Sequence, residues 1–145
     1  MVDDTIKTLN TFGVKNEDIM ICGSVALDIC GLFPNYRANG HDVDVVIKCT
    51  SDMEYKIKNF IKMLDDLDKN STKKKSESST IVLTLKSGTI INLWFIKPTD
   101  TFNTEMKLES GVWVERPVDC FNKKKSYGRV KDFQDLNDIA KSYLL

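Results

Sequence analysis

The stretch ICGSVALDICGLFPNYRANGHDVDVVIK, from Ile21 to Lys48, decides the fold that we expect for this chain. It continues a fully apolar run, Ile19 to Cys22, which is short enough for a buried strand. Gly23 and Ser24 come next, and the residues after them suit a helix that begins directly behind the strand. A loop follows, and then a second apolar strand over 43–47. This order of strand, glycine turn, helix, loop and strand predicts an α/β architecture.

Two acidic residues mark the second strand as a candidate site. Asp42 and Asp44 are two positions apart, so both side chains point to the same face of the strand. Neighbouring carboxylates repel each other unless a cation lies between them or water reaches both. Mg²⁺, for which Mn²⁺ can substitute, is commonly held by one or two carboxylates together with substrate phosphates. Gly23 allows close approach of a phosphate, and Ser24 lies at a helix start, where anions are favoured. The pattern therefore predicts phosphoryl or nucleotidyl transfer.

These residues resemble a known family. Gly23-Ser24 followed by Asp42-Val43-Asp44 is similar to the signature of the nucleotidyltransferase superfamily related to DNA polymerase β. Arg37, shortly before the aspartates, resembles the smaller members, which include antibiotic nucleotidyltransferases, minimal nucleotidyltransferases and AbiEii-type toxins. The run from Arg129 to Leu136 resembles an Arg-x-Lys-Asp-x-x-Asp-Leu ending that is common in those groups. The resemblance extends from about Ile19 to Leu136.

The resemblance implies an activity and a set of roles. The activity is Mg²⁺-dependent transfer of a nucleoside monophosphate from a nucleoside triphosphate, such as ATP, to an acceptor hydroxyl. Asp42 and Asp44 would be catalytic and would hold the metal. The residues implied for nucleotide binding are Gly23, Ser24, Arg37 and Lys131. The acceptor would be a small molecule, an RNA or a protein, and a chain of 145 residues leaves its recognition to a second copy or a protein partner.

Asn92 departs from the family pattern. The superfamily places a third carboxylate on a later strand, in a run like 90–95, where this chain has Asn92. An amide cannot act as a carboxylate base, and loss of a general base costs about 10²–10⁴-fold in rate. Asp100 or Glu105 would substitute, or the chain is a catalytically degenerate protein that binds nucleotide or regulates a partner. A third alternative is a structural interaction protein without a nucleotide site.

The remaining pattern predicts one α/β (α+β) domain over 1–145 with a mixed sheet flanked by helices, and the resemblance implies that this sheet is nucleotidyltransferase-like. We expect a helix over 3–12 that Asp3 or Asp4 caps, and a long helix that starts with a capping box of Ser51 and Glu54. A hairpin is predicted over 81–96, a short strand over 111–115, and a helical turn from Pro117. The last helix is predicted to begin at an Asp132 cap. The residues expected to face the core are Met53, Ile57, Phe60, Ile61, Leu64 and Leu67 in the long helix, and Phe133, Leu136, Ile139, Ala140 and Tyr143 in the last one.

Composition limits the possible partners and locations. Basic and acidic residues number 21 each, so the net charge is zero, which favours a small ligand over a long nucleic acid. The single histidine, His41, excludes a multi-histidine metal site. No apolar run or signal peptide points to a membrane, so we expect a cytoplasmic protein. The four cysteines are expected to be reduced core residues. The lysine runs at 73–75 and 123–125 are expected to be solvated, and Trp94 and Trp113 to lie in the core.

Overall fold

The computed structural model describes residues 1–32, 42–67 and 81–144. It has five α helices and six strands in these ranges, with a short 3-10 helix at Asn16–Asp18. The helices are α1 (Val2–Thr11), α2 (Gly23–Ile29), α3 (Ser51–Leu67), α4 (Pro117–Tyr127) and α5 (Val130–Leu144). The strands are β1 (Ile19–Cys22), β2 (Val43–Lys48), β3 (Ile81–Thr84), β4 (Ile90–Ile96), β5 (Met106–Lys107) and β6 (Trp113–Val114).

The six strands form one mixed sheet in the order β3-β4-β2-β1-β6-β5. The pairs β2–β4 and β1–β6 are parallel, whereas β1–β2, β3–β4 and β5–β6 are antiparallel. The predicted α+β domain, a mixed sheet flanked by helices, is therefore confirmed. Strand β5 was not predicted, because its two residues carry no period-2 pattern.

The core lies on one face of the central strands. Along β2, the side chains of Val43, Val45 and Ile47 are fully buried, while the residues between them are only half-buried. Neighbouring β4 buries Ile91 and Leu93 in the same way. They form one cluster with apolar residues of α1, α2 and α3, including Leu9, Leu27 and Ile57. Burial of these aliphatic groups is the main favourable term in folding, and it leaves the other face of β2 and β4 available for a site.

Two predicted caps are wrong. The Oγ1 atom of Thr50, not that of Ser51, accepts a hydrogen bond from the N–H of Met53 (3.3 Å), so the helix is capped one residue earlier. Helix α1 begins after Met1 and has no side-chain cap, so neither Asp3 nor Asp4 has that role. The predicted apolar face of α3 is also narrower than expected. Ile57 and Ile61 are buried, whereas Phe60 and Leu64 are exposed.

The last helix presents a different face to the core from the one that we predicted. It begins at Val130, so Asp132 lies inside the first turn and is not the N-cap. The side chains of Asp132 and Asp135 are fully buried, whereas Phe133 is 55% exposed. Ile139 is buried as predicted, and Ala140 is exposed. Two carboxylates therefore lie on the buried face of this helix, where they need charged partners.

Several predictions fall on residues that the structure does not describe. Arg37, His41 and the lysine run 73–75 lie outside the described ranges. All four cysteines are free, as predicted, and three of them are buried. Within residues 1–32, 42–67 and 81–144, no helix is long and apolar enough to cross a bilayer.

Candidate active site

The sheet register brings the candidate residues together. Cys22 at the end of β1 pairs with Asp44 of β2, and Asp44 pairs with Asn92 of β4. Gly23 follows Cys22 directly, so the glycine turn lies beside Asp44. The predicted convergence of the two carboxylates, the glycine turn and Asn92 is therefore observed in the geometry.

Asn92 connects the two carboxylates. Its Nδ2 atom donates to Oδ1 of Asp44 at 3.0 Å and to Oδ2 of Asp42 at 3.3 Å. Asp42 is exposed, whereas Asp44 is half-buried. Burial is the main reason that the pKa of Asp44 lies above its ordinary value. The hydrogen bond from Asn92 lowers this pKa, and the negative charge of Asp42 raises it further. The positive charges of Lys131 and Lys123 lower it, but the net shift is upward. The two acids thus converge on one point, where a positively charged group would be stabilised.

A glycine is needed at position 23 because of its backbone conformation and the space around it, and not because its N–H group is free to bind a ligand. Its φ is +66°, and an added Cβ would lie 2.6 Å from Oδ2 of Asp44. The N–H of Gly23 donates to Oε1 of Glu115 at 3.1 Å, so this donor is already engaged. Gly23 therefore serves the site by letting the Asp44 carboxylate approach the backbone closely.

Ser24 is held by a lysine from a distant part of the chain. The Nζ atom of Lys124 donates to Ser24 Oγ (3.0 Å) and to Asp135 Oδ2 (3.2 Å), and it lies 4.0 Å from Asp132 Oδ1. Lys124 is only 7% exposed, so the prediction of a solvated lysine run is wrong at its middle residue. Because a lysine ammonium can only donate, Ser24 Oγ is an acceptor in this contact, and its hydroxyl proton is directed elsewhere.

Glu115 is a buried residue that the sequence did not single out. It is 4% exposed and accepts hydrogen bonds from Gly23 N, from Cys120 Sγ at 3.1 Å and from Lys123 Nζ. Burial lowers the pKa of Lys123, but the contacts with Glu115 outweigh this and leave it raised. Burial, followed by the charge of Glu115, raises the pKa of Cys120, so its thiol stays protonated. Glu115 thus ties the glycine turn to α4.

The C-terminal motif divides into two functions. Arg129 makes a bidentate pair with Asp132, at 2.6 Å from Nε and 3.1 Å from Nη2. Asp132 and Asp135 face Lys124 of α4. Arg129, Asp132 and Asp135 of the motif therefore hold α5 against α4. Lys131 instead lies at the cleft, where its charge acts on Asp44. Within the described residues it forms no ion pair, so its ammonium is available for an anionic ligand.

A cleft of about 410 Å³ opens over this face of the sheet. Its charged lining comprises four cationic side chains, Lys123, Lys124, Arg129 and Lys131, and two carboxylates, Asp44 and Asp132. The rest of the lining is Cys22, Gly23, Ser24, Val46, Trp94, Phe95, Ile96, Cys120 and Tyr127. Asp42 and Asn92, which are joined by a hydrogen bond beside Asp44, are not among the lining residues, and neither are Asp100 and Glu105, the suggested substitutes for a third carboxylate. Oxygen Oδ2 of Asp100 instead accepts a hydrogen bond from Lys97 N at 3.0 Å.

The available ligand atoms limit which metal ion the site could hold. In the described part of the chain, no group of three or more histidine, cysteine or acidic side chains is arranged for a metal ion. At this point of the sheet, the described residues therefore offer two carboxylates, together with the amide oxygen that Asn92 would present after a rotation of its side chain. This set fits Mg²⁺, which keeps waters and takes its other ligands from substrate phosphates. It does not fit a structural zinc site, which needs four protein ligands.

The comparisons with known proteins add no assignment. No protein family, curated protein or solved structure matched this chain. The resemblance to nucleotidyltransferases therefore rests on the motifs alone.

Proposed function

We propose that this protein is a Mg²⁺-dependent nucleotidyltransferase that transfers a nucleoside monophosphate from a nucleoside triphosphate to an acceptor hydroxyl. One observation carries the proposal. Asp42 and Asp44 converge within 3.3 Å of a single nitrogen atom, and Asp44 lies beside the glycine turn and lines a cleft that Lys131 also lines. The other three cations of the lining are paired with buried carboxylates, so among the described residues Lys131 is the cation that an anionic ligand such as a triphosphate would contact.

The residues of the cleft suit the separate needs of this reaction. Lys131 and the Ser24 hydroxyl provide donors for the phosphate oxygens, while Lys124 fixes Ser24 in place. Bound Mg²⁺ would neutralise charge that develops on the phosphoryl oxygens. In the reaction, a bond forms between the acceptor oxygen and the α-phosphorus, the bond from the α-phosphorus to the bridging oxygen breaks, and pyrophosphate leaves. The acceptor proton passes to water, because Asn92 offers no carboxylate. Nucleotide, Mg²⁺ and reduced thiols are consistent with a cytoplasmic location.

A single assay tests the proposal. The purified protein is incubated with labelled ATP, GTP, CTP or UTP, with Mg²⁺ and with candidate small-molecule, RNA and protein acceptors, and pyrophosphate release is measured. We expect release from the wild type and none from the Asp42→Ala, Asp44→Ala variant. An Asp3→Ala, Asp4→Ala variant removes the same charge from α1 and serves as the control. Equal release from the wild type and the Asp42, Asp44 variant would refute the proposal.

The position of Asn92 favours a second candidate, a degenerate member that binds nucleotide without turnover. Its amide donates to both carboxylates in a place where the resembling family has an acid. In that case the wild type would gain thermal stability from Mg²⁺ and a triphosphate, because a ligand of the native state stabilises it, but would release no pyrophosphate. Release by the Asn92→Asp variant alone would identify this candidate, and release by the unmodified protein would exclude it.

A further inference from the structure

The cleft has an apolar end that the proposed reaction does not yet use. Val46 follows Asp44 by two positions on β2, so both side chains lie on the cleft face. Val46 pairs with Trp94 in the register of β2 and β4, and both residues line the cleft, as does Ile96. Two strand residues span about 6.6 Å. The apolar surface therefore begins at about this distance from Asp44, which is roughly the space that a sugar would occupy.

Trp94 differs from the other tryptophan in its contacts. The indole N–H of Trp113 donates to Glu17 O at 2.9 Å, and Lys107 Nζ lies 4.0 Å from the ring centroid. Trp94 lines the cleft, and its indole N–H donates to no acceptor in the described ranges. Trp113 is thus held by contacts within the protein, whereas Trp94, which lines the cleft, has no such hydrogen bond among the described residues. The prediction that Trp94 and Trp113 lie in the core is wrong, because both are only half-buried and neither belongs to the core cluster.

A second aromatic residue lines the same cleft. Tyr127, the last residue of α4, is 59% exposed. The guanidinium carbon of Arg129 lies 5.0 Å from its ring centroid, so a cation covers one face of the ring and restrains it. The opposite face is left for another planar group. Aromatic side chains of this kind bind nucleobases by stacking, whatever the base sequence.

We infer that the Trp94 end of the cleft is a sub-site for the nucleobase of the nucleotide, with Tyr127 as a second stacking surface. The inference rests on the proposed function, because it takes the triphosphate to lie over Asp44 and Lys131. The base is held by ring contact and not by a matched set of hydrogen-bond groups, so the site accepts both purines and pyrimidines and favours the larger purine ring.

The test uses Trp94 as its own reporter. In a Trp113→Phe background Trp94 is the sole tryptophan, and its fluorescence is followed during titration with Mg²⁺ and either ATP, CTP or inorganic tripolyphosphate. Binding of each ligand is measured in parallel by calorimetry. We expect tripolyphosphate to bind without changing Trp94 emission, ATP to quench it and to bind about 5- to 150-fold more tightly, and CTP to give a smaller gain.

Two variants separate the contribution of the rings from that of the phosphates. Trp94→Leu should reduce the affinity for ATP to that for tripolyphosphate, while leaving tripolyphosphate binding unchanged. Tyr127→Ala changes an exposed residue and should weaken ATP binding in the same selective way even if Trp94→Leu folds poorly. If tripolyphosphate binds and ATP gains nothing over it, or if both variants weaken the two ligands equally, the nucleobase sub-site is wrong and the proposed function stands. If neither ligand binds, both fail together.

Discussion

Substitution of Lys124 by methionine tests the buried charge network that supports the site. Lys124 is 7% exposed and donates to Ser24 and Asp135, and Asp135 is fully buried. Methionine keeps most of the side-chain volume but removes the charge, so the Asp135 carboxylate loses its cation in a place that water does not reach. Removal of one partner from a buried pair costs about 3–5 kcal/mol. For a chain of this size, that corresponds to a fall in melting temperature of about 6–20 °C.

Urea denaturation at 25 °C, followed by circular dichroism, measures the loss. Lys125→Met is the matched control, because it removes the same charge from the next residue, which is exposed, and should change stability by less than about 0.5 kcal/mol. A double-mutant cycle that combines Lys124→Met with Asp135→Asn gives a second measurement of the interaction. The double variant should be more stable than the sum of the single losses by about 0.5–3 kcal/mol.

One result would refute the reasoning about this network. If Lys124→Met unfolded within about 1 kcal/mol of the wild type, the buried ammonium would not be compensating the carboxylates of α5. A selective effect on function is also expected. A Lys124→Arg variant keeps the charge, but its larger, planar guanidinium should not place a donor at the position that orients Ser24. If this less disruptive variant folds, it should bind tripolyphosphate more weakly than the wild type.

Two further predictions concern Gly23 and Arg129. Gly23→Ala should be less stable than Gly88→Ala and should lose the Mg²⁺-dependent rise in melting temperature. Both glycines have positive φ (+66° and +89°), but only at Gly23 would the new Cβ meet Asp44, since Gly88 has nothing within 4 Å. Equal effects of the two substitutions on stability would show that Asp44 does not need to approach the backbone closely. Burial alone would raise the pKa of Asp132, but the hydrogen bond and charge of Arg129 outweigh burial, so the pKa in the folded protein lies below its ordinary value. The stability that this carboxylate contributes is therefore present above about pH 4, and it is lost as the pH falls through the pKa of the folded state. The stability difference between wild type and Arg129→Gln in denaturation curves should therefore shrink below pH 4, and a constant difference would contradict the assignment.

The local part of the site could be predicted from sequence because each step depends on near neighbours. The i, i+2 spacing places Asp42 and Asp44 on one face, and an apolar run before Gly23 ends β1 beside them. Asn92 was found through its place in an apolar run, and the parallel register with β2 sets it next to Asp44. These inferences need only strand geometry and the pairing of central strands.

The supporting network could not be predicted in the same way. Ser24 and Lys124 are 100 positions apart, and a Lys-Lys-Lys run normally indicates a solvated surface. In α5, the buried face contains Asp132, Asp135 and Ile139, whereas hydrophobicity alone selects a face with Phe133. The burial of charge there depends on Lys124 from another helix, and no local pattern in α5 records that partner. Glu115 was missed for the same reason, since its contacts with Gly23 and Lys123 come from separate elements.

The amide of Asn92 links the stability of the site to its activity. A third carboxylate at this position would lie about 3 Å from the carboxylates of Asp42 and Asp44, and like charges so close in a half-buried place disfavour the ionised forms. An amide at the same position instead donates a hydrogen bond to each carboxylate and adds no charge, so it stabilises the carboxylate pair without a bound cation. In a transferase, an amide in place of a carboxylate would remove a general base that is worth about 10²–10⁴-fold in rate. Both proposed functions, a slow transferase and a nucleotide-binding protein without turnover, would use the same carboxylate pair, and we expect residue 92 to decide between them.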